Sequence, residues 1–161
     1  MKQYMKLTIV TVLVIAASFV TTATAKAAES EELRITRDAI HVQRCVQAQR
    51  PAPSFAVCRA LMRGANQAEV SRRWVSSPAL KTLLFNESSF NYLAINRAPC
   101  SAGGNATGLF QFCANTWKTV GCSAKYWRSA TYQAMCGFWY IKRMYGTPAK
   151  ALAFHNRKGW Y

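Results

Sequence analysis

The sequence predicts a mainly α-helical domain with a small irregular or β lobe, crosslinked by disulfides. Three observations predict this fold class: helix start signals ahead of apolar residues at helical spacing, one turn-rich stretch at residues 97–108, and six cysteines in a chain of 161 residues. The length allows one domain with a hydrophobic core of its own.

The first 25 residues have the pattern of a secretory signal peptide. Lys2 and Lys6 make a basic n-region, a 14-residue apolar run follows, and a small-x-small cleavage pattern ends at Ala25. The apolar run is short for a membrane span, and an uncleaved N-terminal anchor is the alternative. We therefore expect an exported protein, periplasmic or secreted, whose mature chain begins near Lys26.

The next segment, residues 26–76, is expected to be the N-terminal helical part of the domain. Residues 30–49 are predicted to form an amphipathic helix with Leu33, Ile40 and Val46 on one side. The stretch "RPAPS" then interrupts the helical pattern, because proline removes a backbone donor and restricts the residue before it.

Cap signals predict two short helices after this interruption. Ser54 is expected to cap a helix that ends before Gly64. Asn66 followed by Glu69 resembles a capping box, which predicts a third helix running through Trp74.

A clearer start signal stands at Ser77 and Pro78, a good N-cap followed by a proline suited to the first helical position. These residues predict a helix through "ALKTLLFNESSF", residues 79–90. The remaining predicted elements are a loop or small hairpin at residues 97–108, a helix from Asn115, a helix over residues 129–145, and a short final helix after Gly146-Thr147-Pro148.

The six cysteines all follow the signal sequence. An even number suits disulfides in an oxidising compartment, and spacings of 13, 13 and 14 favour sequential pairing, although six cysteines allow many other pairings. Zinc is the alternative, but no C-x-x-C pair and no nearby histidine pair occur, so neither a metal nor another cofactor is predicted. The candidate disulfide cysteines are Cys45, Cys58, Cys100, Cys113, Cys122 and Cys136.

The chain is strongly basic, with a net charge of +15, or +13 once the two lysines of the signal are removed. From residue 70 onward there are 12 basic residues and a single acidic one, Glu87. Such a field concentrates polyanions. Because an exported protein rarely meets nucleic acid, anionic wall polymers are the expected partners and nucleic acid is not. A role of this charge in solubility alone remains the alternative.

Glu87 lies on the inward side of its predicted helix. At about 100° per residue, four apolar side chains fall within about 60° of it: Leu80, Leu83, Leu84 and Phe90. Burial disfavours the charged form of a carboxyl, so its pKa should rise, as a general acid requires. An ion pair with an arginine such as Arg97, or an outward rotamer, is the alternative.

The other residues limit the chemistry that Glu87 could serve. There is no G-x-S-x-G, the only histidines are His41 and His155, and "SAGGNATG" is not followed by the G-K-[ST] of a phosphate loop. Most glycosidases use two carboxylates. Here every other acidic residue precedes the Glu87 helix, so a reaction that needs one carboxyl and a nucleophilic hydroxyl on the substrate fits better. These other acidic residues are Glu29, Glu31, Glu32, Asp38 and Glu69.

Three motifs carry a family resemblance over residues 77–161. "ESSFNYLAIN" followed by "ATGLFQFCANTW" resembles the soluble lytic transglycosylase (SLT) family of lysozyme-like domains, and "GTPAKALAFHNRKGWY" resembles its secreted members. The resemblance implies a lysozyme-like fold for this catalytic region. It also implies cleavage of the β-1,4 bond between N-acetylmuramic acid and N-acetylglucosamine in peptidoglycan, with the muramic C6 hydroxyl attacking to leave a 1,6-anhydro end.

Site residues follow from the resemblance position by position. Glu87 matches the catalytic glutamate, and Thr116-Trp117 matches a helix start that supports the cleft. Phe154 lacks the hydroxyl that usually steadies the glutamate, and either His155 or Asn156 takes the place of the family's asparagine. The implied substrate-binding residues are Ser88, Gly108, Leu109, Phe110, Gln111, Phe154, His155 and Asn156.

We expect a monomer whose partners are peptidoglycan glycan strands. An envelope-spanning apparatus is a further partner that the sequence leaves open. A hydrolytic muramidase and a non-catalytic cationic wall-binding protein are the alternative functions. Four aromatic residues are candidates for stacking on sugar rings, although most aromatics in such a domain belong to the core: Phe110, Trp117, Tyr140 and Trp160.

Overall fold

The computed structural model describes residues 2–47, 52–101 and 104–160. The chain divides into two units, Met1–Arg37 and Asp38–Tyr161. The first unit is helical from Lys2 onward. In the described part of the chain, no helix has both the length and the apolar character needed to cross a membrane. Cleavage of a signal peptide near Ala25 stays a prediction.

Helix α1 (Lys2–Val46) continues into the second unit, where its last turns join the core. Val42 and Cys45 are buried there. The prediction that Leu33, Ile40 and Val46 share an apolar side of this helix was wrong for Leu33 and Ile40, because both are exposed. Val46 is half-buried. The side of α1 that faces the core instead runs through Asp38, Val42 and Cys45. The half-buried Asp38 accepts hydrogen bonds from Asn66 of α2 and from Arg72 of the following turn. The predicted continuation to residue 49 falls partly outside the described residues.

Helix α2 (Phe55–Gln67) begins as predicted, since the Ser54 hydroxyl oxygen accepts the Val57 N–H. Its predicted end before Gly64 was wrong, and the helix continues for four more residues, to Gln67. The glycine lies where α2 crosses helix α5 (Ala130–Met144), and a Cβ at this position would sit 2.4 Å from that of Ala134. This glycine therefore allows close helix packing rather than ending the helix.

The predicted capping box was also wrong. Asn66 is inside α2, where its amide donates to Asp38 at 2.9 Å. Glu69 follows the helix with a positive φ of 53°, a conformation that ends the helix. A single 3₁₀ turn, Arg72–Trp74, replaces the predicted third helix and is capped by Ser71.

Helix α3 (Pro78–Ser88) starts with the predicted cap, as the Ser77 hydroxyl oxygen accepts the Leu80 N–H. It ends two residues earlier than predicted, because Ser89 and Phe90 adopt positive φ values of 49° and 63°. These residues turn the chain directly into the β lobe.

The rest of the second unit confirms the predicted small hairpin and the three later helices. Strands β1 and β2 pair antiparallel, with Ile95 opposite Thr107. Cys113 is the N-cap of α4, a 3₁₀ turn lies between α4 and α5, and Thr147 caps α6. The elements are β1 (Ile95–Pro99), β2 (Asn105–Thr107), α4 (Ala114–Thr119), the 3₁₀ turn Ala124–Tyr126, α5 (Ala130–Met144) and α6 (Pro148–Lys158).

Disulfides crosslink the second unit in the sequential pairing that the spacings favour: Cys45–Cys58, Cys100–Cys113 and Cys122–Cys136. Helix α5 crosses α2, and its fully buried Phe138 contacts Trp74 and Phe110 edge-on. The mainly helical fold with a small β lobe, typical of lysozyme-like domains, is thus confirmed.

Three of the four aromatic candidates for sugar stacking were wrong. Phe110, Trp117 and Tyr140 are at most 8% exposed, so their ring faces pack in the core and no sugar could reach them. Trp160 is 59% exposed and remains a candidate.

Candidate active site

Glu87 lies in the last turn of α3, above a fully buried leucine layer formed by Leu80, Leu83 and Leu84. Its side chain is 16% exposed, so the inward orientation that helical spacing predicted is confirmed. Burial raises the pKa of this carboxyl to about 7, because the low-polarity surroundings disfavour the charged form. At neutral pH the protonated and ionised forms therefore coexist.

The carboxyl faces a histidine on the opposing helix. Helix α6 packs against α3, and Nε2 of His155 lies 3.0 Å from Oε1 of Glu87. Sequence reasoning had offered Arg97 as the kind of partner a structural glutamate would have, but Arg97 is exposed on β1. The partner that the fold supplies is therefore an imidazole, which is able both to donate and to accept a proton.

The neighbouring motif residues differ in their placement. The Phe154 ring packs in an aromatic series, with its centroid 5.3 Å from that of Tyr145 and 5.0 Å from that of Trp160. Asn156 is exposed. His155 is the member of the Phe154-His155-Asn156 set whose contact with Glu87 the structure shows; which residue takes the place of the family's asparagine stays a prediction.

Ser88 connects α3 to the loop that carries the Gly-Leu-Phe-Gln motif. Its hydroxyl is 3.0 Å from the carbonyl oxygen of Leu109 and 3.1 Å from that of Leu84. The hydroxyl has a single proton, which these two acceptors share. Ser88 thus sets the distance between the Glu87 helix and the loop, and its contact with substrate stays a prediction.

The loop itself is a tight turn closed by its own glutamine. Gly108 has a φ of 80°, and its N–H donates to Ala94 at 2.8 Å. The Gln111 amide donates to the Gly108 carbonyl oxygen at 2.8 Å. The side chains of Leu109 and Phe110 are buried, so this loop offers a cleft its backbone and its glutamine but not its two apolar side chains.

Gln133, on α5, is a residue that sequence reasoning missed. It is 1% exposed, and its Oε1 accepts the Leu109 N–H at 2.6 Å. Its amide nitrogen donates to the carbonyl oxygens of Tyr92 and Trp127. One buried amide therefore fixes three segments of the β lobe and its neighbouring loops. The sequence feature that could have identified Gln133 is the presence of a glutamine within the otherwise apolar "ATYQAMCGF" pattern of α5.

Unfavourable backbone conformations are concentrated around Glu87. Three of the non-glycine residues with positive φ are Ser89, Phe90 and Gln111, with values of 49°, 63° and 48°. Such conformations cost about 1–3 kcal/mol each and tend to occur at functional sites. Their position next to Glu87 and in the motif loop marks this region as one that packing holds in a defined geometry.

The comparisons with known proteins agree with the motifs. Residues 64–154, more than half of the chain, match the family model described as the transglycosylase SLT domain. This range includes Glu87, the motif loop and Phe154. No curated protein and no solved structure gives a significant match.

Proposed function

The chain belongs to the transglycosylase SLT domain family, and from this premise we propose that it is an exported lytic transglycosylase with Glu87 as its only catalytic carboxyl. The family supports a peptidoglycan-cleaving function of the lytic transglycosylase kind. The finer proposal is that the protein breaks the N-acetylmuramic acid–β-1,4–N-acetylglucosamine bond and leaves 1,6-anhydro ends.

The observation that carries this proposal is the buried Glu87 carboxyl with its pKa of about 7. A general acid is most effective when its pKa lies near the working pH, since it must hold a proton and still release it. An exposed glutamate, with a pKa near 4.5, would be ionised and unable to protonate a leaving oxygen. Between residue 70 and the C-terminus, no other acidic residue is available for the role.

The reaction then proceeds with one carboxyl in two roles. Protonated Glu87 donates its proton to the glycosidic oxygen as the bond from C1 of the muramic acid to that oxygen breaks. The resulting carboxylate takes the proton of the C6 hydroxyl, whose oxygen forms the new bond to C1. Atoms and protons balance, because the carboxyl ends in the protonated state in which it began and no water is consumed.

The surrounding groups have positioning roles in this scheme. His155 holds one oxygen of the carboxyl at 3.0 Å and so directs the other toward the cleft. Ser88 and Gln133 hold the motif loop from two sides, through Leu109. A fixed loop supports catalysis because its backbone groups do not reorganise when charge develops on the sugar.

Hydrolysis is the second candidate, and His155 is the observation that favours it. A muramidase of this fold needs a group that activates water, and an imidazole beside the general acid is a side chain able to accept a proton. The two reactions differ in their products: hydrolysis gives reducing muramic ends, whereas transglycosylation gives anhydro ends.

One digestion experiment tests these proposals. Purified peptidoglycan is incubated with the protein, with Glu87→Gln, and with Glu69→Gln as a matched control that changes an exposed glutamate. The released muropeptides are analysed by mass spectrometry. Anhydro-muramyl products that disappear in Glu87→Gln and persist in Glu69→Gln support the proposal.

Other outcomes would contradict it in different ways. Reducing ends in place of anhydro ends would assign the hydrolytic reaction. Equal release by the protein and by Glu87→Gln would remove the catalytic role of Glu87. Binding of peptidoglycan without any release would favour a non-catalytic, cationic wall-binding protein.

A further inference from the structure

A second candidate site lies on α5 and shares no lining residue with the Glu87 site. An open hollow of about 380 Å³ is lined by Val120, Trp139, Lys142 and Arg143. We propose that this hollow binds a carboxylate-bearing glycan, namely an acidic stretch of the cell-wall strand, while Glu87 acts elsewhere on the polymer. The proposal rests on the proposed function for its choice of ligand.

The hollow is held in shape by two crosslinks between α5 and the end of α4. Cys136, Trp139 and Arg143 lie at positions i, i+3 and i+7 of α5, on one stripe of the helix. A disulfide joins Cys136 to Cys122, and Arg143 Nη1 donates to the carbonyl oxygen of Thr119 at 3.0 Å. Thr119 and Cys122 lie on either side of Val120 in the chain, so the segment that carries this lining valine is tied to α5 at both ends. The site is therefore formed before a ligand arrives, which lowers the entropic cost of binding.

The cations of the hollow form no ion pair with a carboxylate of the described residues. Both of them, Lys142 and Arg143, are exposed. Their recorded hydrogen bonds go to neutral carbonyl oxygens, those of Glu69 and Thr119. Two positive charges thus remain at the rim, where an anionic group of a ligand would make charge-assisted hydrogen bonds.

The floor of the hollow is apolar. Val120 and Trp139 are half-buried and pack against the core, leaving part of the indole and the valine facing the hollow. Sugar rings present C–H faces that pack on aromatic surfaces, and peptidoglycan strands carry carboxylates on their peptide substituents. A neutral glycan would leave the two cations without a partner, and a small inorganic anion would leave the indole uncovered. An acidic glycan satisfies both features.

The test measures binding in a Glu87→Gln background, so that cleavage does not remove the ligand. Lys142→Gln/Arg143→Gln removes two charges from the hollow and leaves a polar amide at each position. Arg59→Gln/Arg63→Gln removes the same charge from exposed positions on α2 that do not line the hollow. Cosedimentation with insoluble peptidoglycan at constant salt is compared with chitin, a neutral β-1,4 glycan, and with anionic lipid vesicles.

The proposal expects binding to peptidoglycan to weaken by about five-fold or more in the hollow variant and by less than about two-fold in the α2 variant. Chitin binding should not change in either one. Equal losses in the two variants would overturn the proposal in favour of a diffuse charge effect. A loss confined to vesicles would overturn it in favour of a lipid surface.

Cleavage assays separate this proposal from the proposed function. With Glu87 restored, the hollow variant should cleave short soluble muropeptide oligomers at the rate of the unmodified protein and insoluble peptidoglycan more slowly. Equal slowing on both substrates would overturn the hollow as a separate site. Cleavage that persists in Glu87→Gln would instead contradict the proposed function, whatever the result for binding.

Discussion

Nε2 of His155 lies 3.0 Å from Oε1 of Glu87, and the two side chains are only 17% and 16% exposed. The contact joins the last turn of α3 to α6, the helix that packs against it. A carboxyl that is partly removed from water responds strongly to a polar group in contact with it, because solvent screens their interaction weakly. The protonation and orientation of Glu87 are therefore the properties that variants of this site should change.

Activity should fall on the alkaline side of neutrality. If Glu87 must be protonated to donate to the leaving oxygen, the active fraction decreases as pH rises through its pKa of about 7, by about ten-fold per pH unit beyond it. The measurement is kcat/KM on soluble muropeptide oligomers across a pH series. An activity that already declines near pH 4.5 and has no further break would mean that Glu87 titrates as an exposed glutamate.

Replacing His155 should impair turnover more than substrate binding. In His155→Ala the carboxyl loses the group that fixes its rotamer, and we expect kcat to fall by about ten- to a hundred-fold with little change in KM. His155→Gln keeps an amide donor near the same position and should recover part of the loss. If His155 served only to stabilise the fold, both variants would have a smaller folded fraction. The pH at which activity falls on the alkaline side would then be the same as in the unmodified protein.

The raised pKa of Glu87 also has a stability consequence. The folded-state pKa of about 7 lies above the ordinary value of 4.5, so the folded state binds more protons between these values. Stability therefore falls as pH rises through this window, and the total loss is about 3 kcal/mol at most. The Glu87→Gln variant has no charge at this position, so its stability should not fall over this pH range.

Thermal unfolding at about pH 4 and about pH 8 tests this consequence. The unmodified protein and Glu87→Gln should have similar melting temperatures at the acidic pH, and the variant should melt higher at the alkaline pH. Glu69→Gln, at an exposed position, should follow the unmodified protein at both pH values. A variant that is less stable than the unmodified protein at about pH 8 would argue against a buried, costly carboxylate.

The catalytic candidate was accessible to sequence reasoning because it depends on local structure. A cap at Ser77, a proline at Pro78 and helical spacing were enough to place α3 and to turn Glu87 toward the leucine layer. The same local logic predicted α5, α6 and the hairpin. Each of these segments contains its own start and stop signals, so its formation needs little information from distant residues.

The errors have a common cause, which is that tertiary contacts decided the outcome. Gly64 looked like a helix end, but its missing side chain serves the crossing with Ala134, 70 positions along the chain. Gln133, and the pairing of His155 with Glu87, become recognisable only once α5 lies under the loop and α6 packs on α3. No spacing rule within one segment reports such contacts, because they join residues separated by 24 positions or more.

Gly108 gives a test of how tightly the motif loop is held. Its φ is 80°, and a Cβ at this position would lie 2.5 Å from the side-chain amide of Gln133, the residue that accepts the next N–H. Gly108→Ala should therefore combine backbone strain with displacement of a buried amide and cost about 3 kcal/mol or more, with loss of cleavage. Gly159→Ala is the matched control, since its φ is 76° but nothing lies within 4 Å of the added atom.

The control should lose only the conformational cost of about 1 kcal/mol. Urea unfolding gives both free energies of unfolding, and the difference between the two variants isolates the contact with Gln133 from the shared backbone strain. Equal losses in the two variants would mean that the Gln133 amide moves aside without cost. In that case the loop around Leu109 would not be held rigidly from the α5 side, and the positioning role of Gln133 would be contradicted.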